Sequence, residues 1–201
     1  MTRFMMIPLC VTLLLVNGLL VKSDEEPKRK LLYYPVEVGS DWVMRSAPDS
    51  KVKMTISEVL LAPDSATVET SLVVIAEERK TVPVQRVLAS ESGLFLLSSN
   101  KTDFTPPICQ MKLPSNPGDQ WKTISIYNGK PYKVECTRGQ DEELALPFKK
   151  VKTIRIDSVT DNDGEITKST SWYHEELGRV KFKDNNRTVI MESFTPPPKK
   201  K

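Results

Sequence analysis

From residue 31 to residue 194 the chain repeats one pattern, in which a short run rich in β-branched and aromatic residues is followed by a cluster of turn residues. Runs spaced about 8–12 residues apart, with turn signals between them, are typical of β barrels and β sandwiches. The Asn128-Gly129 pair is a strong hairpin signal, and runs joined by hairpins pair in antiparallel fashion. We therefore predict an all-β domain, an antiparallel sheet of about ten strands that forms either a barrel or a sandwich.

Three segments have their own predictions of strand or bend. Residues 33–38 precede the first turn and are predicted to form a strand. Residues 100–119 contain four prolines, and because proline has no N–H group to donate, we expect no central strand there. The acidic residues 141–143 are predicted to form a bend between two strands.

Two segments share a proline, a glycine and a tryptophan at identical spacing, at Pro35, Gly39 and Trp42 and at Pro114, Gly118 and Trp121. Each glycine permits a turn, and each tryptophan then enters a strand as a large core anchor. The match indicates either two structurally related halves or a coincidence of three residues. Three tryptophans are candidates for the core: Trp42, Trp121 and Trp172.

The N-terminus is typical of an export signal. A basic start at Arg3 is followed by an almost wholly apolar run over residues 4–21, and small residues precede a cleavage site after Ser23. We predict a signal peptide at 1–23, a polar linker at 24–30, the β domain at 31–194 and a Pro/Lys tail at 195–201. An uncleaved anchor is the alternative, although the run is near the lower limit for spanning a bilayer. Export would place the protein in the periplasm, the cell envelope or the extracellular space.

The cysteines are interpreted in the light of export. Cys10 lies inside the predicted signal peptide, which leaves Cys109 and Cys136 in the exported chain. An even pair of cysteines in an oxidising compartment predicts a disulfide. A pair of buried free thiols is the alternative.

The charge distribution excludes a nucleic-acid partner. The formal net charge is +3, but residues 31–194 carry 21 basic and 23 acidic side chains, so the basic excess lies in the two ends of the chain. A protein that binds nucleic acid needs a basic stripe on its folded body. We expect contact with a membrane only through the signal segment, if that segment is not cleaved.

The chain lacks the residues that most catalytic and metal sites require. His174 is the sole histidine, so it would have to serve any Ser-His-Asp, Cys-His or zinc site. Residues 161–164 resemble part of a calcium loop, but Val159 and Thr170 stand where acidic ligands are needed, which favours a hairpin turn. We therefore assign no catalytic residue, no metal ligand and no cofactor.

Short motifs carry a resemblance to a family. The opening Tyr34-Pro35-x-x-x-Gly39-x-x-Trp42, the later Gly118-Asp-Gln-Trp121 and the closing segment 171–181 resemble exported bacterial all-β proteins of planctomycete-type envelopes, whose function is uncharacterised. The resemblance implies a secreted antiparallel β protein with no assigned activity. Relatives often have small residues where this chain has 174–176, so no family site can be carried over.

Together these features predict an exported, noncatalytic module that binds an unknown protein or serves a structural role in the envelope. The alternative is a carrier that encloses an apolar ligand or a lipid in a curved sheet. Its motivation is the run Leu72-Val73-Val74-Ile75, which is apolar on both faces of a strand. Such a run is equally consistent with a strand that is buried between two sheets.

Overall fold

The computed structural model describes residues 33–46, 50–74 and 82–197. The predicted signal peptide at 1–23 and linker at 24–30 lie outside these described residues, as does the end of the tail from residue 198. The predicted tail begins at Thr195, which the structure makes the last residue of the final strand. In the described part of the chain no helix is long and apolar enough to cross a bilayer.

The fold consists of twelve antiparallel strands that form one closed barrel, in the order β1-β12-β11-β10-β9-β8-β7-β6-β5-β4-β3-β2. The all-β antiparallel prediction is confirmed, and of the two architectures left open the structure adopts the barrel. The strands are β1 (Asp41–Ser46), β2 (Ser50–Ala62), β3 (Ser65–Val74), β4 (Val82–Ser90), β5 (Gly93–Ser99), β6 (Thr102–Lys112), β7 (Gln120–Tyr127), β8 (Lys130–Ala145), β9 (Lys150–Asn162), β10 (Glu165–His174), β11 (Gly178–Asp184) and β12 (Thr188–Thr195).

Strand β6, which lies between β5 and β7, corrects the expectation that the proline-rich segment forms no central strand. It pairs with β5 over both of its ends, but it pairs with β7 only at Thr105↔Ile126. Pro106 and Pro107 lie beside that single pair and cannot donate to a ladder. The prolines therefore weaken the backbone ladder on one side of β6 without removing the strand.

Hydrogen bonds that involve side chains connect β6 and β7 where the backbone ladder is missing. The Ser125 hydroxyl donates to the carbonyl of Pro106 at 2.7 Å. The Trp121 indole N–H donates to the carbonyl of Cys109 at 2.9 Å, and the Cys109 amide donates to the Thr123 hydroxyl at 3.2 Å. We call this junction the β6–β7 seam, because side-chain hydrogen bonds hold two neighbouring strands together there.

Two other expectations about segments are wrong. Residues 33–38 form bends and a turn rather than a strand. Residues 141–143 are part of the long strand β8 and pair with β9. A register shift between Arg138 and Asp141 accommodates the change of direction that the acidic residues were expected to make by a bend.

The two glycine turns noted in the sequence make the same set of backbone hydrogen bonds. The Gly39 amide donates to Ile56 and the Gly118 amide to Arg138, each across to the next strand but one in the chain. In both turns the amide of the residue after the glycine donates to the carbonyl three residues before it. The amide of Ile56 or Arg138 then donates to the carbonyl of that residue after the glycine. Both glycines have positive φ, at 88° and 97°. Each turn thus starts a run of six strands.

Two of the three candidate tryptophans are buried. Trp42 and Trp172 are 5% and 7% exposed and belong to the main hydrophobic cluster, whereas Trp121 is only partly buried and packs against it. Tyr34, from the segment before β1, meets Trp42 edge to face with ring centroids 6.5 Å apart. This contact places Tyr34 over one end of the barrel.

The predicted disulfide is wrong, because Cys109 and Cys136 are both free. Cys109 lies on β6 and Cys136 on β8, with β7 between them, and Cys136 pairs with Trp121 of that intervening strand. The Cys136 thiol instead approaches the backbone carbonyl of Cys109, at 3.9 Å. The alternative of free thiols is the one the structure shows.

Replacement of Gly93 by alanine is expected to destabilise the barrel strongly. Gly93 has φ +136°, and an added Cβ would lie 1.9 Å from the carbonyl oxygen of Met111. Urea denaturation should show a loss of at least about 3 kcal/mol, or no folded protein. Gly129→Ala is the control, because its Cβ meets nothing within 4 Å and it should cost only about 1–2 kcal/mol of left-handed strain. Equal losses in the two variants would contradict the steric argument.

Removal of one hydroxyl should weaken the β6–β7 seam. Ser125 is 1% exposed, so Ser125→Ala deletes a buried donor and is expected to lower the free energy of unfolding by about 1–2 kcal/mol. Ser57→Ala is the matched control, since that hydroxyl bonds at the exposed surface and its loss should cost less than about 0.5 kcal/mol. The seam argument fails if both variants unfold at the same urea concentration.

Candidate functional site

The barrel has an internal cavity of about 370 Å³ beneath the inner faces of β8, β9 and β10. Side chains alternate between the two faces of a strand, and the lining residues follow this alternation. Buried members of the set include Val134, Ile156 and Tyr173, which identifies this face as the inner one. The lining positions are 132, 134 and 136 on β8, 156, 158, 160 and 162 on β9, and 165, 167, 169, 171 and 173 on β10.

Hydroxyl groups cover the wall formed by β9 and β10. Ser158 stands opposite Ser169, and Thr160 stands opposite Thr167. The two serine hydroxyls are 2.8 Å apart and bond to each other. Ser171 is the next inward residue of β10. We call these five residues the hydroxyl ladder; they give the cavity a row of groups that can both donate and accept hydrogen bonds.

Apolar side chains line the rest of the cavity. Leu96 of β5 and Ile108 of β6 come from strands away from the hydroxyl ladder. Val134 and Ile156 lie beside the ladder, paired with Thr160 and Ser171. The cavity therefore offers both apolar and hydrogen-bonding surface to whatever occupies it, a combination typical of small-molecule sites.

Tyr173 and Arg179 form the floor of the cavity, and Tyr34 is close enough for the charge of Arg179 to act on it. Burial raises the pKa of Tyr34 to about 12, and the Gln85 side-chain amide donates to its hydroxyl at 3.2 Å. Burial also raises the pKa of Tyr173, although the nearby positive charge of Arg179 lowers it in part. The Arg179 guanidinium stands 5.2 Å from the centre of the Phe182 ring. This end of the barrel thus holds two neutral phenols and one cation.

The opposite end of the cavity opens between the β9–β10 and β11–β12 turns. Asn162 and Glu165 lie at this mouth, with Asp184 and Arg187 beside them. Burial alone would raise the pKa of Asp184, but hydrogen bonds from the backbone of Asn186 and Arg187 and from the Arg187 guanidinium lower it below its ordinary value. Arg187 approaches Asp184 at 3.2 Å, so these two charges offset each other at the entrance.

A larger concave region of about 840 Å³ lies on the outside of the barrel, across β7 to β11. Its acidic side chains are paired. Lys122 lies 3.4 Å from Glu135, and Asp157 accepts hydrogen bonds from both Arg155 and Thr170. Lys168 and Lys183 of the groove are exposed, whereas Arg179 of the internal cavity is largely shielded from solvent. Because the internal cavity combines this shielded cation with converging hydroxyl groups, we take it, rather than the outer groove, as the candidate site.

The two cysteines are weak nucleophiles in this environment. Burial raises the pKa of the Cys109 thiol to about 11 and that of the Cys136 thiol to about 12. Both groups therefore carry almost no thiolate, the reactive form, at neutral pH. Cys136 also lines the cavity, where it acts as a small apolar surface.

His174 stabilises a turn. Its Nδ1 atom accepts hydrogen bonds from the backbone N–H groups of Glu176 and Leu177, at 3.1 and 3.3 Å. Burial lowers the pKa of this imidazole, and the positive charge of Lys149 lowers it further. The sequence left no catalytic or metal role for His174, and within the described residues no three His, Cys, Asp or Glu side chains are grouped so that they could hold a metal ion.

Sequence reasoning missed the hydroxyl ladder. The signal is present in the chain, because positions 167, 169 and 171 are all Ser or Thr at a spacing of two. In a strand that borders a filled core, those alternate positions are normally apolar. A run of hydroxyl residues on the inward face therefore indicates a polar cavity, once the face is known.

Comparisons with known proteins identify the fold. No protein-family model matches the chain, and no curated protein has a significantly similar sequence. A protein from Bacteroides fragilis, assigned to the exported proteins and to the YmcC-like fold, matches with a TM-score of 0.58 at 10% identity, over 83% of this chain and 100% of that one. A protein from Parabacteroides distasonis assigned to the lipoproteins matches with a TM-score of 0.53 at 14% identity, over 82% and 99%. The barrel therefore has the YmcC-like fold.

The His174 turn should make stability depend on pH. Folding lowers the pKa of His174, so the unfolded chain binds the proton more tightly; this part of the stability is complete above about pH 6.5 and is lost as the pH falls towards the folded pKa. We expect the melting temperature to drop between about pH 7.5 and pH 5.5. His174→Asn keeps a side-chain acceptor but does not titrate, and should show a smaller drop. Parallel pH profiles for the two proteins would contradict this role.

Proposed function

We propose that this protein is an exported, noncatalytic binding module whose ligand lies inside the barrel. The observation that carries the proposal is the cavity of about 370 Å³, which is lined by the hydroxyl ladder and by the apolar side chains of Leu96, Ile108 and Val134. A twelve-strand barrel is wider than the eight-strand barrels whose interiors side chains can fill. The remaining space has the size and the mixed lining of a ligand site.

Export is supported by two independent features. Residues 1–23 have the basic start, apolar run and small residues of a signal peptide. The fold is shared with a Bacteroides fragilis protein assigned to the exported proteins and a Parabacteroides distasonis protein assigned to the lipoproteins. We place the mature protein in the periplasm, the cell envelope or the extracellular space.

The noncatalytic part of the proposal rests on the state of the reactive groups. The Nδ1 atom of His174 is occupied by two backbone amides, and burial keeps Cys109 and Cys136 protonated at neutral pH. A general base needs a free lone pair, and a nucleophilic thiol needs a lowered pKa. The role that remains for the cavity is binding.

A carrier of an apolar ligand is the second candidate. Apolar cavity-lining residues favour it: Leu96, Ile108, Val134 and Ile156. A wholly apolar ligand would, however, cover the hydroxyl ladder and Arg179 without offering them hydrogen bonds, and buried polar groups without partners are costly. A ligand that has both polar and apolar groups fits this lining.

Native mass spectrometry of the protein recovered gently from its own host tests this proposal. We expect the mass of the chain that begins at Asp24, with both thiols reduced, plus a small molecule that is released on denaturation. Ser169→Leu places a bulky side chain in the cavity and should abolish the adduct. Lys168→Leu adds a leucine on the exposed outer face of the same strand and should leave it unchanged.

Other masses would change the conclusion in defined ways. A lipid adduct would favour the apolar carrier. A chain that carries no adduct, or an adduct that persists in Ser169→Leu, would contradict binding in the barrel and favour a structural module of the envelope. A mass that includes residues 1–23 would indicate an anchored protein rather than a secreted one. Circular dichroism of both variants verifies that each is folded.

A further inference from the structure

Arg179 occupies an unusual place for a charged residue. It is the inward residue of β11 that stands opposite Tyr173 of β10, it lines the cavity, and it is largely shielded from solvent. Its charge acts on both Tyr34 and Tyr173. The guanidinium therefore lies at the deep end of the barrel interior rather than at the mouth.

No carboxylate oxygen of the described residues lies within 4 Å of the Arg179 guanidinium. Four other arginines are paired with a carboxylate. Arg138 is the clearest contrast, since it is only 4% exposed and bonds to Asp141. The remaining arginines with a carboxylate partner are Arg86, Arg155 and Arg187. The Phe182 ring and the Tyr173 side chain, both uncharged, are neighbours that favour the Arg179 charge.

An unpaired cation in a partly dry interior is costly, because the protein surroundings solvate it less well than water does. An anion in the cavity would remove that cost. The planar fork of a guanidinium matches the oxygens of a carboxylate or a phosphate, and each such hydrogen bond is strengthened by the charge. The hydroxyl ladder, a short distance along the same cavity, can donate further hydrogen bonds to an oxyanion.

We propose that the barrel interior binds a small organic anion, held by Arg179 through a carboxylate or phosphate group. This inference rests on the proposed binding function and names its ligand class. The anionic group lies on the floor of the cavity, and the body of the molecule contacts the hydroxyl ladder and the apolar side chains of Leu96, Ile108 and Val134. The volume corresponds to about a dozen water molecules, which suits a compact ring or a short chain.

The mouth of the cavity is compatible with an anion. Asp184 is paired with Arg187, so its charge is offset. Glu165 is exposed to solvent, where its charge is screened. Neither acid stands between the entrance and Arg179, which lies several residues deeper on β11.

Isothermal titration calorimetry with three probes of similar size tests the proposal. Benzoate carries a carboxylate, phenyl phosphate carries a phosphate, and benzyl alcohol carries neither. At constant ionic strength we expect at least one of the two anions to bind about tenfold or more tightly than benzyl alcohol. The comparison of benzoate with phenyl phosphate identifies which oxyanion the site prefers.

Variants assign the effect to Arg179. Arg179→Gln should lower the affinity for the preferred anion by about tenfold or more, and Arg179→Lys, which keeps the charge without the fork, should retain part of it. Arg86→Gln removes an arginine that is exposed and paired with Asp103 on the outer surface, and should bind like the unaltered protein. If Arg179→Gln does not fold, Ser169→Leu blocks the same cavity without changing its charge and should abolish anion binding.

The results separate this inference from the proposed function. Equal affinities for benzyl alcohol and the anions, both sensitive to Ser169→Leu, would overturn the anion assignment and leave a binding barrel. Anion binding that survives both Arg179→Gln and Ser169→Leu would place the anion outside the cavity and also overturn it. Absence of binding by all three probes, together with an uncharged molecule in the native mass spectrum, would overturn the anion assignment alone. Absence of any adduct would remove the proposed function as well.

Discussion

Closure of the sheet is the constraint on which the rest of the structure depends. β1 pairs with β12 along its whole length, from Asp41↔Thr195 to Ser46↔Val189, so the first and last strands complete the ring. In a closed sheet every strand has one face inside and one outside, and a slip of one residue would exchange them. The register shifts, such as that between Arg138 and Asp141, occur where a strand must change which of its residues face inward. The alternation of inward and outward residues therefore determines which side chains form the interior.

The two halves of the barrel use the interior differently, although each starts from the same glycine turn. In the first half, small and medium apolar side chains fill the space and are fully buried, among them Ala66, Val68, Val87, Ala89 and Leu94. In the second half, β9 and β10 present the hydroxyl ladder, and β11 adds a cation. One half therefore supplies most of the tightly packed core, and the other leaves room beside it.

The sequence predicted the strands well because turn residues and alternation are local signals. It failed where distant segments decide the outcome. Pro106 and Pro107 were expected to exclude a central strand, but the backbone of β5 pairs with one side of β6 and side chains of β7 form hydrogen bonds with the other. A disulfide between Cys109 and Cys136 was predicted from their even number in an exported chain, yet β7 lies between the two strands that carry them. The hydroxyl ladder and Arg179 could not be recognised as a site, since the inward face of β10 is defined only when the barrel closes.

The β6–β7 seam has a consequence for how the chain can be divided. The seam joins the last strand of the first half, β6, to the first strand of the second half, β7. The pair of β12 with β1 joins the last strand of the second half to the first strand of the first half. A break in the connection from β6 to β7 would thus yield two six-strand pieces, each beginning with a glycine turn and each exposing two complementary edges. Two copies of one such piece, related by twofold rotation, have the edges needed to complete a ring. The seam marks the point at which a gene for half a barrel could have been joined to its own copy.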